Sequence, residues 1–180
     1  MKNYTIFDLE TTGFGANSIE IIEIGALRIR DDQVTDTFQQ LVKPKKPIDF
    51  RSTSINHITN DMVKNCPPIE HVLPMFVDFI GNDVLMGHNI GRFDLPIVKR
   101  CLANMSDKVI SNEFLDTLPF ARLRFDSETS CSLQNLSIYF NLDTEGEHRS
   151  IADCYLTKAV YERLRNMNPD KSVHGIGKKR

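Results

Sequence analysis

The sequence lacks the features that mark metal-bound scaffolds, disulfide-rich proteins and membrane proteins. Its four cysteines are widely spaced and include no Cys-x-x-Cys pair, which argues against a structural zinc site and a disulfide framework. No apolar run reaches about 18 residues, the length of a membrane span. No signal peptide is evident at the N-terminus. We therefore expect a cytoplasmic protein that does not enter a membrane.

A strong charge of one sign is also absent. The formal net charge is only -2, so no global electrostatic field draws the chain toward nucleic acid. That balance does not exclude such a partner, because bound metal ions supply positive charge that a residue count omits. With 41% apolar and 26% charged residues in 180, the composition is that of a soluble globular domain with at most a tail.

The sequence does contain a pair of acids on one face of its first predicted strand. The run from residue 4 to residue 10 alternates, which places Asp8 and Glu10 on one face and Phe7 and Leu9 on the other. Carboxylates two residues apart can converge on one cation, and without a cation they repel each other. For this pair alone, an edge strand with a solvated face is the alternative explanation.

The remaining hydrophobic pattern predicts an α/β domain with a mixed sheet. Adjacent strands come first, and helices alternating with single strands follow, without internal repeats. This domain is expected to span residues 1–166, followed by a flexible basic tail over 167–180. The predicted strands are 4–10, 19–30, 34–42, 84–86 and 114–115, and the predicted helices or helical turns are 54–59, 60–62, 67–81, 95–105, 133–140 and 150–166.

Two further acids lie where α/β proteins bind ligands. Asp94 follows a loop at the end of a buried strand, and Asp153 lies in the first turn of the last helix. Each has a structural alternative, since Asp94 could cap its helix and Ser150 with Asp153 has the spacing of a capping box. His148 precedes that last helix, and a histidine beside an acid cluster is a candidate general base.

Together these segments resemble the three exonuclease motifs of the DEDDh family. The resemblance extends from residue 3 to residue 166, and is strongest to the proofreading (epsilon) subunits of bacterial DNA polymerase III. It implies a ribonuclease H-like fold, with a mixed central sheet flanked by helices. It also implies 3′-to-5′ removal of mononucleotides from single-stranded or frayed DNA. The motif residues are Asp8-x-Glu10-Thr-Thr-Gly, His88-Asn89 with Asp94, and His148-Arg149 with Asp153.

The resemblance also implies roles for individual residues. By motif position, Asp8, Glu10, Asp94 and Asp153 hold two Mg²⁺ or Mn²⁺ ions, and His148 is the general base. Oxygen ligands suit these ions better than zinc. Phe14, Ile58 and Phe93 are candidates to wedge or stack on terminal bases, and core packing is the alternative for each. The resemblance supports Phe93 and the turn 11–14. The candidate substrate-binding residues are Thr11, Thr12, Gly13, Phe14, Ile58, His88, Asn89 and Phe93.

Three alternatives stay open at this level. An exoribonuclease of the same family would carry the same motifs, because nothing in the sequence shows how a 2′-hydroxyl is treated. The others are a catalytically silent nucleic-acid-binding module and a polymerase accessory that acts by docking, although the complete acid set favours an enzyme. Proofreading subunits carry a long C-terminal segment that binds the polymerase, whereas a short basic tail follows here. Polymerase association is therefore left open.

Overall fold

The fold is built on a mixed sheet of five strands. The computed structural model describes residues 3–13, 19–143 and 148–167. The strands are β1 (Tyr4–Thr11), β2 (Ile21–Arg30), β3 (Gln33–Leu41), β4 (Leu85–Gly87) and β5 (Phe114–Asp116). Their order is β3-β2-β1-β4-β5, with β2 antiparallel to β1 and β3, and with β4 parallel to β1 and β5. This arrangement confirms the predicted mixed sheet.

Helices cover both faces of this sheet. They are α1 (Phe50–Asn56), α2 (Asn60–Val63), α3 (Ile69–Ile80), α4 (Asp94–Ala103), α5 (Thr117–Arg122), α6 (Leu133–Tyr139) and α7 (Ser150–Arg165). Helices α3 and α4 pack on one face and α7 on the other. No helix within the described ranges is long and apolar enough to cross a lipid bilayer.

The alternation predicted for the first strand is what orients the acids. Phe7 and Leu9 are buried in the core formed with α3 and α4, whereas Ile6 is buried in the core formed with α7. Since side chains alternate along a strand, Asp8 and Glu10 share the face of Ile6. The two acids therefore point toward the layer that contains α7.

Two short helices differ from the sequence-based prediction. Helix α1 begins at Phe50 because the Asp49 carboxylate accepts a hydrogen bond from the Ser52 N–H at 2.7 Å, and it ends before His57, whose φ is 59°. Helix α5 was not predicted, and it begins at a similar cap, where Asp116 accepts from the Leu118 N–H at 3.0 Å. The tail beyond residue 167 lies outside the described residues, so the domain boundary stays a prediction.

Candidate active site

Three carboxylates converge at the C-terminal end of β1. One oxygen each of Asp8, Glu10 and Asp153 lies within 4.8 Å of the others, and all three residues are half-buried. Helix α7 can bring Asp153 this close because it passes over Gly25 of β2. A Cβ at Gly25 would lie 2.6 Å from backbone atoms at the start of α7, so only glycine permits the approach.

Asp94 joins this cluster from the edge of β1. It is 3% exposed, and its Oδ1 accepts a hydrogen bond from the Leu9 N–H at 3.2 Å. Strand β4 ends at Gly87, so Asp94 supplies the acceptor that a longer β4 would have given to this N–H. The capping alternative is wrong, because no side chain caps α4 and Asp94 is its first residue.

The carboxylates of the cluster raise one another's pKa values. Burial and then the charges of Asp94 and Asp153 hold the pKa of Asp8 well above its ordinary value. Burial and the charge of Asp153 raise the pKa of Glu10 to about 8, and burial raises the pKa of Asp94 to about 7.

The repulsion between these carboxylates fits a metal site. In the described part of the chain, no ion pair with Lys, Arg or His involves Asp8, Glu10 or Asp94. Carboxylates that repel one another at a partly open strand end are stabilised when a cation enters. The donor set consists of oxygen atoms alone, which is the set that hard divalent cations prefer.

The loop before α7 places His148 beside Asp153. His148 has a φ of 65°, and its backbone N–H donates to the Asp153 carboxylate at 3.4 Å. The next residue, Arg149, is the residue that precedes the helix, and no side chain caps α7. The capping-box alternative for Ser150 and Asp153 is therefore wrong.

Arg149 is held by Glu23, a residue that the sequence analysis did not single out. Its Nε and Nη2 donate to the two oxygens of Glu23 at 3.1 and 2.6 Å, and the Ser150 N–H donates to the same carboxylate at 3.1 Å. Burial alone would raise the pKa of Glu23, but the hydrogen bonds from Arg149 and Ser150 outweigh it and lower the pKa. A charged residue within the otherwise uncharged run 21–27 of β2 was the available sequence signal.

The turn after β1 keeps its predicted substrate-binding residues half-exposed next to the acids. The Thr12 hydroxyl accepts from the Glu20 N–H at 3.1 Å, and the Thr12 carbonyl accepts from the Ser52 hydroxyl at 2.7 Å. Thr11 donates to the carbonyl of Gly13, whose φ of 146° suits glycine. The turn is thus fixed while its outer surface remains accessible.

The segment that links α1 to α2 supports the cluster but offers no apolar contact to a substrate. Asn56 forms a hydrogen bond with Glu10, and its amide donates to the Thr11 carbonyl at 3.4 Å. Ile58 is 0% exposed and packs in a small core cluster between β2 and α2. The predicted substrate contact of Ile58 is therefore wrong, and core packing is correct. Phe14 lies outside the described residues.

His88 has a structural role. Its Nε2 donates to the Cys131 carbonyl at 2.9 Å, and its Nδ1 lies 2.9 Å from the Thr117 hydroxyl. Burial lowers the pKa of His88 to about 4, so the ring is neutral near pH 7. Because both ring nitrogens bind protein atoms, His88 ties β4 to the loops around it.

Asp116 holds the loop of the second motif in place. The sequence analysis did not single out this residue. Its carboxylate accepts from the Asn89 N–H at 2.8 Å and from the Gly91 N–H at 3.1 Å. Asn89 is half-exposed with a φ of 65°, and Phe93 is half-buried against the main core. Asp116 therefore fixes the loop that ends at Asp94, and its place at the end of a predicted strand was the available signal.

Comparisons with known proteins agree with this geometry. The Exonuclease (RNase_T) family model matches residues 5–161. DNA polymerase III PolC-type from Clostridium perfringens is 34% identical over 174 residues, which are 96% of this chain but only 12% of that relative. DNA polymerase III subunit epsilon from Aquifex aeolicus is 32% identical over 161 residues, covering 89% of this chain and 79% of the subunit. The structure of exonuclease X in complex with 5′ overhanging duplex DNA matches with a TM-score of 0.73 at 26% identity, covering 91% of each chain.

Proposed function

Because the chain belongs to the exonuclease family, we propose that it is a metal-dependent 3′-to-5′ exonuclease of single-stranded or frayed DNA that releases nucleoside 5′-monophosphates. The observation that carries this proposal is the convergence of Asp8, Glu10 and Asp153 from the first strand and the last helix, with Asp94 beside them. The replication relatives support a role in proofreading or repair and a cytoplasmic location.

Two Mg²⁺ or Mn²⁺ ions are the cofactors in this proposal. When bound, such a pair activates the attacking water and stabilises the departing 3′ oxygen. Asp8, Glu10 and Asp153 supply the oxygen ligands, and Asp94 assists from its place against the Leu9 N–H. The raised pKa values of Asp8, Glu10 and Asp94 support this assignment, since they reflect burial and negative charge that no ion pair among the described residues compensates.

His148 is the proposed general base. A ring nitrogen of its imidazole accepts the proton of the attacking water. The backbone of His148 is held by its hydrogen bond to Asp153 and by the neighbouring Arg149, which Glu23 anchors. These contacts support the assignment of His148 as the base, because they hold its backbone next to Asp153.

The terminal nucleotide contacts the exposed surface around the cluster. Thr11, Thr12 and Gly13 border it after β1, and Asn89 and Phe93 belong to the loop that leads to Asp94. Hydroxyl, amide and backbone groups can bind phosphate and sugar, and an aromatic ring can stack on a base. The preference for DNA rests on the relatives, and matched RNA is the substrate that tests it.

The test uses single strands labelled at either end, incubated with Mg²⁺ or Mn²⁺. We expect 5′-labelled DNA to shorten by single nucleotides and 3′-labelled DNA to release its label as a mononucleotide at once. A chelator should abolish both. Asp8→Asn should lower the rate by about 10³-fold, because it removes the carboxylate at the centre of the cluster.

Asp78→Asn is the matched control, since Asp78 is an exposed acid whose side chain is 76% accessible. It should leave the rate unchanged. Internal fragments, release from the 5′ end or full activity of Asp8→Asn would contradict the proposal. Faster digestion of a matched RNA strand would support the exoribonuclease alternative.

A further inference from the structure

A buried ion pair lies beside the acid cluster, on the neighbouring strand. Glu23 is 0% exposed and is paired with Glu10 in the register of β1 and β2. Besides the bonds from Arg149 and Ser150, it accepts one from the Gln39 amide at 3.1 Å. A carboxylate removed from water requires such a set of donors, because an unpaired buried charge is strongly unfavourable. The Glu23–Arg149 ion pair is therefore stabilised by hydrogen bonds from the surrounding fold.

The carboxylate that holds Arg149 is the cross-strand neighbour of a second carboxylate, that of Glu10. Directly paired residues on antiparallel strands have Cβ atoms about 5 Å apart, so Glu10 is the neighbour of Glu23. The charge of Glu10 acts on Arg149, where it favours the protonated guanidinium. An arginine fork fits any carboxylate, but in the structure both donating nitrogens are held by Glu23.

We propose that Glu23 is a positioning residue that holds the Arg149 guanidinium away from Glu10 and so keeps the cluster available to divalent cations. This inference rests on the proposed function, because it concerns the same metal site. Without the Glu23 carboxylate, the guanidinium pairs with Glu10 and competes with a cation for its oxygens. Glu23 thus acts on metal binding without being a ligand.

A purely structural role makes a different prediction. Glu23 also receives the first N–H of α7, so its loss disturbs the backbone near His148 and Asp153. Competition by the guanidinium disappears when Arg149 is removed as well, whereas lost backbone support does not return. The double variant therefore separates the two explanations.

The experiment measures Mn²⁺ binding by calorimetry without nucleic acid. Wild type, Glu23→Gln, Arg149→Met and the double variant are compared at one pH and ionic strength, with thermal unfolding recorded in parallel. Glu23→Gln should weaken Mn²⁺ binding by about tenfold, and the double variant should return to within about twofold of wild type. Arg149→Met alone should not weaken binding.

Asp32→Asn is the matched control. Asp32 pairs with Arg165 at 3.1 Å at the other end of α7, so this change breaks an ion pair on the same helix away from the cluster. Mn²⁺ affinity should stay at the wild-type value. If Glu23→Gln does not fold, Glu23→Asp with and without Arg149→Met takes its place. The shorter carboxylate holds the guanidinium less well, so a smaller loss of Mn²⁺ affinity is expected, and Arg149→Met should reverse it.

Two outcomes would overturn the inference. One is equal Mn²⁺ affinity of wild type and Glu23→Gln. The other is a double variant that binds as weakly as Glu23→Gln, because that result assigns the loss to a distorted site. A wild-type protein that binds no Mn²⁺ would instead refute the metal site of the proposed function, so the two failures are distinguishable.

Discussion

Glu10 and Glu23 face each other across β1 and β2, yet the structure treats them in opposite ways. Burial and the charge of Asp153 raise the pKa of Glu10 to about 8. Burial also acts on Glu23, but the hydrogen bonds from Arg149 overcome it and lower the pKa. Within the described residues, Glu23 has an ion pair with Arg149, and no ion pair involves Glu10. Under the proposed function, a carboxylate that is paired within the fold positions its partner, whereas a carboxylate without an ion pair in the described residues is left for a cation from solution.

Removing the uncompensated charge should have the largest effect on activity. Glu10→Gln should lower the rate of mononucleotide release by about 10³-fold, because a ligand of the cluster is lost. It should also raise the melting temperature of the metal-free protein, since it relieves repulsion with Asp8 and Asp153. Digestion of labelled DNA and thermal unfolding with a chelator measure the two effects.

Glu128→Gln, at an exposed residue outside the cluster, is the control and should change neither quantity. A Glu10→Gln protein that melts lower than wild type without metal would contradict the view that this carboxylate is uncompensated.

Removing the Arg149 guanidinium, the positive charge that pairs with Glu23, should mainly affect stability. Arg149→Met leaves Glu23 buried without its partner, which should lower the free energy of unfolding by about 3 kcal/mol. Arg165→Met breaks the partly exposed pair with Asp32 and should lower it by only about 0.5 kcal/mol. Urea unfolding of both variants measures the difference. Equal losses would show that burial does not set the strength of the Glu23 pair.

The pH dependence of stability should show the two glutamates with opposite signs, and this effect should be smaller than the loss caused by Arg149→Met. Without metal, folded Glu10 and Asp94 keep protons that the unfolded chain releases near its ordinary values of 4.5 and 3.8. The folded state therefore binds more protons, and stability should fall as pH rises through about 5 to 8, on the order of 1 kcal/mol after solvent screening. Added Mn²⁺ should flatten this slope.

Glu23 has a lowered pKa. Its contribution to the free energy of unfolding is therefore present above the ordinary value of 4.5, and it is lost as pH falls through the lowered pKa. Melting temperatures from pH 3 to 9, with chelator and with Mn²⁺, test both slopes. A metal-free protein whose stability rises between about pH 5 and 8 would contradict the assignment for Glu10 and Asp94.

The sequence was sufficient for features that follow from local pattern. Alternation placed Asp8 and Glu10 on the face opposite Phe7 and Leu9, and the structure confirms it. The role of Glu23 was not predictable in this way, because its partner Arg149 is 126 residues away and only the folded chain brings them together.

Other misses have similarly specific causes. The start of α1 and the existence of α5 depend on single caps, Asp49 and Asp116, in segments too short for hydrophobic periodicity. Ile58 was a candidate to wedge against terminal bases because it is apolar, but an isoleucine beside β2 is more stable in the core. Asp94 precedes a helix, and local sequence cannot show that it replaces a missing strand partner.

Helix α7 follows the other described elements along the chain, yet it lies on β1 and β2, the first two. During synthesis, the hairpins of β1, β2 and β3 can therefore form before Asp153 and Arg149, the partner of Glu23, have been synthesised. A nascent chain consequently lacks the Asp153 oxygen of the cluster and the Arg149 partner of Glu23 until α7 has emerged from the ribosome and docked. The order of the described elements thus delays assembly of the carboxylate cluster until α7 has docked on β1 and β2.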